Sequence, residues 1–210
     1  MNTFRQLFFA LLTLFVTCFH QTAQAHPHEW IDIRTTVIFN DSGQIERLRN
    51  DWTLDEYSTA YTMESMTSRD QKSLDELAAN IVSNLSEFSY LTKFEGGNDV
   101  SVKEGKAIEA SIDGIRFRLL FDLVFTNPVD VQGRTFSYSS FDPEYYIEIL
   151  HQEKGAQAVL ENAPEGCSVS LEKASPDETQ VAYAQSLDKN ADASDDLGAL
   201  FAEKVRVSCN

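Results

Sequence analysis

The sequence predicts an α+β protein with a mainly antiparallel sheet, two to three helices and a single domain. Apolar residues alternate along many short segments, turn residues separate those segments, and one long stretch has apolar residues at helical spacing. A hairpin, then helices, then a meander of strands is an order typical of α+β proteins.

The clearest strand pair lies near the start of the chain. Apolar and polar residues alternate over Glu29–Phe39, and the following Asn40–Gly43 is a strong turn signal. The segment Ile45–Leu54 then returns as the second arm of a hairpin.

Two segments with residues at helical spacing follow this hairpin. A short helix over Tyr57–Ser65 would be capped by Asp55, and a long helix over Arg69–Phe88 would have Ser73 as its cap. A third helix fits Ser175–Leu187. Strands are predicted for the remaining alternating segments, which are Tyr90–Phe94, Val100–Lys103, Ala107–Ile112, Ile115–Phe125, Thr135–Phe141, Tyr145–His151, Ala158–Leu160, Ser168–Glu172 and Glu203–Cys209. The acidic segment Asp188–Gly198 has few large apolar residues and is expected to be a loop.

The segment Met1–Ala25 has the pattern of a secretory signal peptide. Arg5 provides the basic start, Leu7–Phe19 is an apolar run and Ala23–Ala25 is an A-x-A cleavage site. The apolar run is shorter than a membrane-spanning helix needs. We therefore expect an exported mature chain of residues 26–210, periplasmic in a Gram-negative host. The alternative is an uncleaved anchor.

The chain is strongly acidic, with 17 Lys and Arg against 33 Asp and Glu and a net charge of −16. Binding phosphate groups needs clustered basic side chains, so nucleic acid and anionic membrane surfaces are disfavoured as partners. Hydrophobic residues make up 42% of the chain, which is enough to build a core and argues against disorder.

Removal of the leader leaves two cysteines, Cys167 and Cys209. In an oxidising compartment an even pair is most simply a disulfide. This bond would join the last strand to the strand around Ser168–Leu171. The alternative is a metal site with two thiolates, which is disfavoured because neither cysteine has another Cys or His near it in the sequence.

Cleavage after Ala25 would start the mature chain with His26-Pro27-His28. A free α-amino group has a reference pKa of about 8, so part of it is neutral at pH 7 and can chelate a metal ion together with the His26 ring. The second imidazole comes from His28. Nitrogen ligands suit zinc, copper and nickel, whereas calcium and magnesium prefer oxygen.

Pro27 restricts the geometry of this amino-terminal site. The common copper and nickel motif uses the deprotonated amide of the second residue, and Pro27 has no N–H. A tetrahedral site of His26, His28 and a carboxylate is the better interpretation, with zinc favoured. The alternative is that both histidines are ordinary polar residues at a frayed chain start.

The remaining ligands would have to come from elsewhere in the chain. Asp142 and Glu144 lie in a predicted turn before the strand that ends at His151, and Asp55 and Glu56 open the first helix. Any of these residues could complete a site of four ligands. Plain structural roles compete with this hypothesis: Asp142 as a turn residue, Asp55 as a helix cap, and His151 as a histidine at the surface or core edge.

Catalysis has little support in the sequence. It contains no G-x-S-x-G elbow, no H-E-x-x-H motif and no P-loop, so we expect that the protein is not an enzyme. A copper oxidase-like activity at the amino-terminal histidine has no second signature. The competing non-enzymatic hypothesis is an exported interaction or scaffold module that binds a membrane protein without a metal.

Three segments together resemble a known family. They are HPHEWID at 26–32, DWTLDEY at 51–57 and YSSFDPEYYIEI at 138–149. With the leader, they are similar to a family of exported bacterial proteins described as the periplasmic component of an uncharacterised ABC-type transport system. Its best-described kind is the periplasmic partner in Zev-type zinc uptake.

This resemblance implies the handling of zinc, nickel or cobalt beside an inner-membrane permease of the nickel/cobalt-transporter type. On that basis His26 and His28 match the opening motif of the family, and Asp142 and Tyr145 match its DP-x-YY block. The resemblance extends to about residue 150.

Overall fold

The computed structural model describes residues 26–64, 66–96, 100–187 and 197–210. The predicted signal peptide and most of the predicted acidic loop therefore lie outside the described residues. The strands are β1 (Glu29–Phe39), β2 (Ile45–Leu54), β3 (Thr92–Glu95), β4 (Val102–Asp113), β5 (Arg116–Val129), β6 (Thr135–Ser140), β7 (Ile147–His151), β8 (Ala158–Glu161), β9 (Cys167–Glu172) and β10 (Lys204–Cys209). The helices are α1 (Glu56–Glu64), α2 (Gln71–Leu85), α3 (Glu178–Ser186) and α4 (Leu197–Phe201), with a 3-10 helix over Ser86–Leu91.

The strands form two sheets in a single compact domain, which confirms the α+β class. The larger sheet has the order β4-β5-β2-β1-β7, and β8 also pairs with β1. The smaller sheet has the order β3-β6-β10-β9. Antiparallel pairing dominates; β1 is parallel to β7 along its first half and to β8 along its second half. Two short strands thus cover one edge of β1 in succession.

The first hairpin has the bounds that the sequence predicts. The side chain of Asn40 accepts hydrogen bonds from the backbone N–H groups of Ser42 and Gln44, both at 3.0 Å, and Gly43 has a φ of +73°. Asparagine and glycine favour such turns because the short amide mimics a backbone acceptor and glycine has no Cβ.

The prediction of two separate strands, Val100–Lys103 and Ala107–Ile112, is wrong, because β4 runs without a break through Gly105 between them. The backbone N–H of Gly105 donates to the hydroxyl of Tyr90 at 2.9 Å, and an added Cβ would lie 2.4 Å from the Tyr90 ring. Gly105 therefore allows an aromatic ring to approach the strand closely, rather than forming a turn.

Helix α2 packs its apolar face, with Leu74, Ala78 and Val82 buried, on the body of the protein. Its cap is Asp70, whose carboxylate accepts from the backbone N–H of Ser73 at 2.8 Å. The prediction of Ser73 as the cap was therefore three residues late.

The fourth helix, α4, has five residues and is too short to produce a helical period. Among the described residues, no helix is long and apolar enough to cross a membrane.

The core lies between the inner faces of the two sheets. Trp52 packs edge-to-face on Phe121 with ring centroids 5.1 Å apart, and Phe94 packs on Phe125 at 5.2 Å. Each large apolar side chain buried here contributes about 1.5–3 kcal/mol. Fully buried members of this core include Ile33, Phe39, Ile45, Leu48, Phe117, Leu119, Phe121, Leu123 and Phe136.

A line of hydrogen-bonded polar side chains crosses this core. The hydroxyl of Tyr138 in β6 donates to Thr35 in β1 at 2.6 Å, and the Thr35 oxygen lies 3.2 Å from Nε2 of His151 in β7. Nδ1 of His151 lies 2.8 Å from the carboxylate of Glu203, which also pairs with Lys173. The line joins the two sheets and satisfies polar atoms that would be costly to bury alone.

The predicted disulfide between Cys167 and Cys209 is present. The two cysteines occupy directly paired positions of β9 and β10. The bond therefore fastens the last strand of the chain to the edge strand of the smaller sheet.

Candidate functional site

The predicted amino-terminal histidines lie where β1 begins. The backbone N–H groups of His28 and Glu29 both donate to the carbonyl oxygen of Tyr146, at 2.9 and 3.2 Å. Tyr146 immediately precedes β7, and Glu29 pairs with Ile147 in the parallel register of β1 and β7. Residues 26–29 are therefore held against the turn that contains the DP-x-YY block.

Three rings pack together at this junction, and we call His26, His28 and Tyr146 the histidine–tyrosine cluster. The ring centroids of His26 and His28 are 5.0 Å apart, and those of His28 and Tyr146 are 4.8 Å apart. His26 is only 3% exposed, so it is not a frayed surface residue.

The buried ring of His26 has a nitrogen without a partner in the part of the chain that the structure describes. Its Nδ1 has no hydrogen-bond partner among the described residues. Burying a polar atom without a partner costs free energy, so such atoms in native proteins call for an explanation. Two imidazoles bound to one tetrahedral zinc ion, with Zn–N distances of about 2.0 Å, have centroids about 5 Å apart. The spacing of His26 and His28 therefore fits a shared metal ion.

Asp142 lies in the turn beside this cluster, and its carboxylate holds the backbone of the turn in place. One carboxylate oxygen accepts from the backbone N–H of Ile147 at 3.0 Å and the other from that of Glu144 at 3.3 Å. The turn role that competed with the ligand hypothesis is thus real, although carboxylate oxygens retain further lone pairs. The side chain of Glu144 lies on the exposed side of the same turn.

Glu29 is a site residue that the sequence reasoning missed. Burial raises the pKa of this half-buried carboxyl group, and the negative charges of Asp55 and Asp142 raise it further, while a hydrogen bond with Ser58 opposes the increase. Asp55 and Asp142 thus lie close enough to act electrostatically on Glu29, which directly follows His28 at the start of β1. The only signal in the sequence was that Glu29 directly follows the candidate ligand His28 in a predicted strand. Such a position does not distinguish a site residue from any other strand residue.

Asp55 has the capping role that the sequence suggested. Its carboxylate accepts from the backbone N–H groups of Tyr57 at 2.7 Å and Ser58 at 3.0 Å, and from that of Trp30 at 3.0 Å. Burial tends to raise the pKa of Asp55, but these hydrogen bonds and one from the Ser58 hydroxyl outweigh it and lower the pKa. Asp55 therefore connects the start of β1 to the start of α1.

The two tyrosines of the DP-x-YY block have different surroundings. Tyr145 stacks on Phe201 with centroids 4.0 Å apart, and its hydroxyl donates to Glu148 at 2.7 Å. Burial and the neighbouring Glu148 raise the pKa of Tyr145 above its usual value. Tyr146, rather than Tyr145, contacts the histidines, because consecutive residues point in different directions.

His151 is not near the histidine–tyrosine cluster. It pairs with Ile33 on β1, four residues beyond Glu29, which corresponds to about 13 Å along a strand. Both of its ring nitrogens have partners, Thr35 and Glu203. The structure therefore places this predicted metal ligand in the buried polar line between the sheets.

A complete metal centre is not preformed in the part of the chain that the structure describes. Within residues 26–64, 66–96, 100–187 and 197–210, no group of three or more His, Cys, Asp or Glu side chains is arranged to hold a metal ion. The histidine–tyrosine cluster thus has two candidate nitrogen ligands, with carboxylates nearby. Any further ligand would be a side chain that moves towards the histidines, or the α-amino group that cleavage before His26 would expose.

Fold and site define a two-sheet α+β protein with histidines held at the start of its first strand. A family model for proteins of unknown function, DUF1007, matches residues 11–209, and the chain belongs to this family. An uncharacterised protein of Haemophilus influenzae is 34% identical over 194 residues, covering 88% of this chain and 91% of the relative.

Proposed function

We propose that this chain is an exported, periplasmic protein that binds a divalent metal ion, with zinc favoured, and passes it to an inner-membrane metal permease. The observation that carries the proposal is the pair His26 and His28, with ring centroids 5.0 Å apart and a buried Nδ1 on His26 that has no described partner. Nickel, cobalt and copper are alternative ions because they also accept imidazole ligands.

The cation would be bound by the two imidazoles, the α-amino group exposed by cleavage before His26, and a carboxylate. The candidate acidic side chains are Glu29, which directly follows His28, and Asp142, which acts electrostatically on Glu29; Glu144 is an exposed residue of the same turn as Asp142. A site whose last ligands must move into place suits a protein that has to release its ion. The exchange of ligands can begin beside Tyr146, which is 39% exposed.

The second candidate function is an exported interaction module that binds a membrane protein without a metal. The observation that favours it is that the described residues contain no preformed group of three metal-binding side chains. The two functions differ in whether the mature chain has a high-affinity zinc site at its first residue.

Calorimetric titration of the mature chain with zinc separates the two functions. The protein must begin at His26, and three changes are compared: His26→Ala/His28→Ala, an added Ser-Gly before His26, and Asp142→Asn. Asp41→Asn, an exposed carboxylate in the β1–β2 turn, serves as the matched control. We expect the double histidine variant to lose at least about 100-fold in affinity, in line with the loss of two ligands.

The added dipeptide tests the amine ligand alone, because it leaves both imidazoles in place. A weaker zinc affinity in this variant supports the chelate with the amino terminus. Unchanged affinity in the double histidine variant would contradict the proposal and leave the interaction module as the better function. Circular dichroism of each variant checks that the fold is retained.

A further inference from the structure

Helix α1 presents two tyrosines to solvent. Tyr57 is 76% exposed and Tyr61 is 71% exposed, more than any other large hydrophobic or aromatic side chain in the described residues. Residues four apart in a helix lie on the same face, so the two rings are neighbours. We define the α1 face as Glu56, Tyr57, Ala60, Tyr61 and Glu64, all of which are exposed.

The α1 face is held rigidly by the opposite side of the helix. Asp55 caps the helix, the hydroxyl of Thr59 accepts from the backbone N–H of Phe117 at 3.0 Å, and Met63 is buried in the core. Tyr57 itself donates its backbone N–H to the cap. A surface fixed in this way loses little conformational freedom on binding, and tyrosine has few rotatable bonds to immobilise.

The charge of the α1 face is entirely negative. The helix contains Glu56 and Glu64 and no Lys or Arg. The two glutamates are separated by eight residues, or about 12 Å along the helix axis. Glu64 lies one turn from Tyr61, so these two side chains are neighbours, whereas Glu56 directly precedes Tyr57 and points about 100° away from it around the helix. The C-terminal end of the face therefore combines a carboxylate with a neighbouring aromatic ring, which is the combination that holds a guanidinium group by an ion pair and a cation–π contact, and the N-terminal end has a carboxylate and a second ring at a wider angle.

We propose that the α1 face docks a basic segment of a partner protein, with arginine side chains seated against the Glu56–Tyr57 and Tyr61–Glu64 pairs. Two arginines four residues apart in an extended segment span about 13 Å, close to the roughly 12 Å between Glu56 and Glu64 along the helix axis. The net charge of −16 adds a long-range attraction to such a segment. The same glutamates oppose an anionic membrane surface. This inference does not depend on whether the histidines bind zinc.

The test uses the mature chain and a seven-residue peptide with arginines at positions 2 and 6. The control peptide has citrulline in place of both arginines, which keeps the shape and removes the charge. Binding is followed by backbone amide shifts in NMR spectra. Tyr57→Ala/Tyr61→Ala removes the rings, and Phe88→Ala is the control, because this side chain is 65% exposed and lies in the 3-10 helix rather than in α1.

We expect saturable shifts in the amides of α1, at least a tenfold weaker affinity for the citrulline peptide, and a similar loss in Tyr57→Ala/Tyr61→Ala. Phe88→Ala should bind as the unmodified chain does. A second variant, Glu56→Gln/Glu64→Gln, should also bind more weakly, and its binding should depend less on salt.

Three results would overturn the proposal. Equal binding of the arginine and citrulline peptides would show that charge is not recognised. Shifts confined to residues outside α1 would place binding elsewhere. If the unmodified chain ignores the peptide but binds zwitterionic phosphatidylcholine vesicles through Tyr57 and Tyr61, the face contacts lipid rather than a basic protein segment.

Discussion

His151 and Glu203 are joined by two hydrogen bonds to one carboxylate oxygen. The backbone N–H of His151 donates to Oε2 of Glu203 at 2.7 Å, and the ring Nδ1 lies 2.8 Å from the same oxygen. A carboxylate only accepts, so the ring Nδ1 of His151 donates to Glu203, as its backbone N–H does. This pair anchors one end of the polar line between the sheets.

The first prediction concerns acid stability. Burial would raise the pKa of Glu203, but hydrogen bonds from His151 and Lys173 outweigh it and lower the pKa to about 2. A carboxyl group with a lowered pKa stabilises the fold above its unfolded value, near 4.5, and this contribution is lost as the pH falls towards 2.

We expect on the order of 3 kcal/mol of unfolding free energy to disappear over this pH range. Glu203→Gln should lower stability at pH 7 by a comparable amount and flatten the pH dependence, as measured by urea denaturation between pH 2 and 7. Glu144→Gln, at an exposed carboxylate, is the control. An unaltered pH dependence in Glu203→Gln would contradict the role of this carboxylate.

The second prediction concerns Gly198 at the start of α4. Its backbone N–H donates to the carbonyl of Pro143 at 3.0 Å, and an added Cβ would lie 1.8 Å from the carbonyl oxygen of Asp142. Gly198→Ala should therefore push α4 away from the turn and cost about 1–3 kcal/mol of stability.

Thermal unfolding and the near-ultraviolet signal of the stacked Tyr145 measure this effect. Gly114→Ala is the comparison, because a methyl group there meets nothing within 4 Å. The expected cost of Gly114→Ala is about 1–2 kcal/mol, and it comes from placing an alanine at a positive φ of 64° rather than from a clash. A Gly198→Ala protein with an unchanged Tyr145 signal would show that α4 does not depend on this close approach.

The third prediction concerns the disulfide. Cys167→Ser/Cys209→Ser should lower the unfolding free energy by about 2–5 kcal/mol, because the bond restricts the unfolded chain over a loop of about 43 residues. Reductant should destabilise the unmodified protein by a similar amount and leave the double variant unaffected. Equal midpoints of unfolding in denaturant for the oxidised and reduced protein would count against a stabilising role.

The fourth prediction concerns Tyr146 and depends on the proposed zinc site. Tyr146→Ala removes the ring that packs on His28, so the zinc affinity should fall on the order of tenfold, the usual cost of losing a residue that positions a ligand. Tyr146→Phe keeps the ring and the backbone carbonyl, and should bind zinc normally. Competition with a zinc-sensitive dye measures both variants, and equal affinities would remove Tyr146 from the site.

Local signals in the sequence determined much of the fold. The alternation in β1 and β2 and the intervening turn set the first hairpin, and the apolar spacing of α2 set the long helix. The disulfide followed from there being two cysteines after the predicted leader. Each of these signals depends on residues that are close in sequence, or on a count, and needs no knowledge of packing.

Only the tertiary structure decided how the candidate site is assembled. The carbonyl of Tyr146 brings His28 and Glu29 to a turn more than 100 residues further along the chain, which places Glu29 near Asp142 and leaves His151 in the core. The register of β1 and β7 controls these positions, and a parallel pairing of distant strands leaves no local pattern. The sequence thus indicated histidines and carboxylates as candidate ligands, but the pairing of the strands determines which of them lie close together.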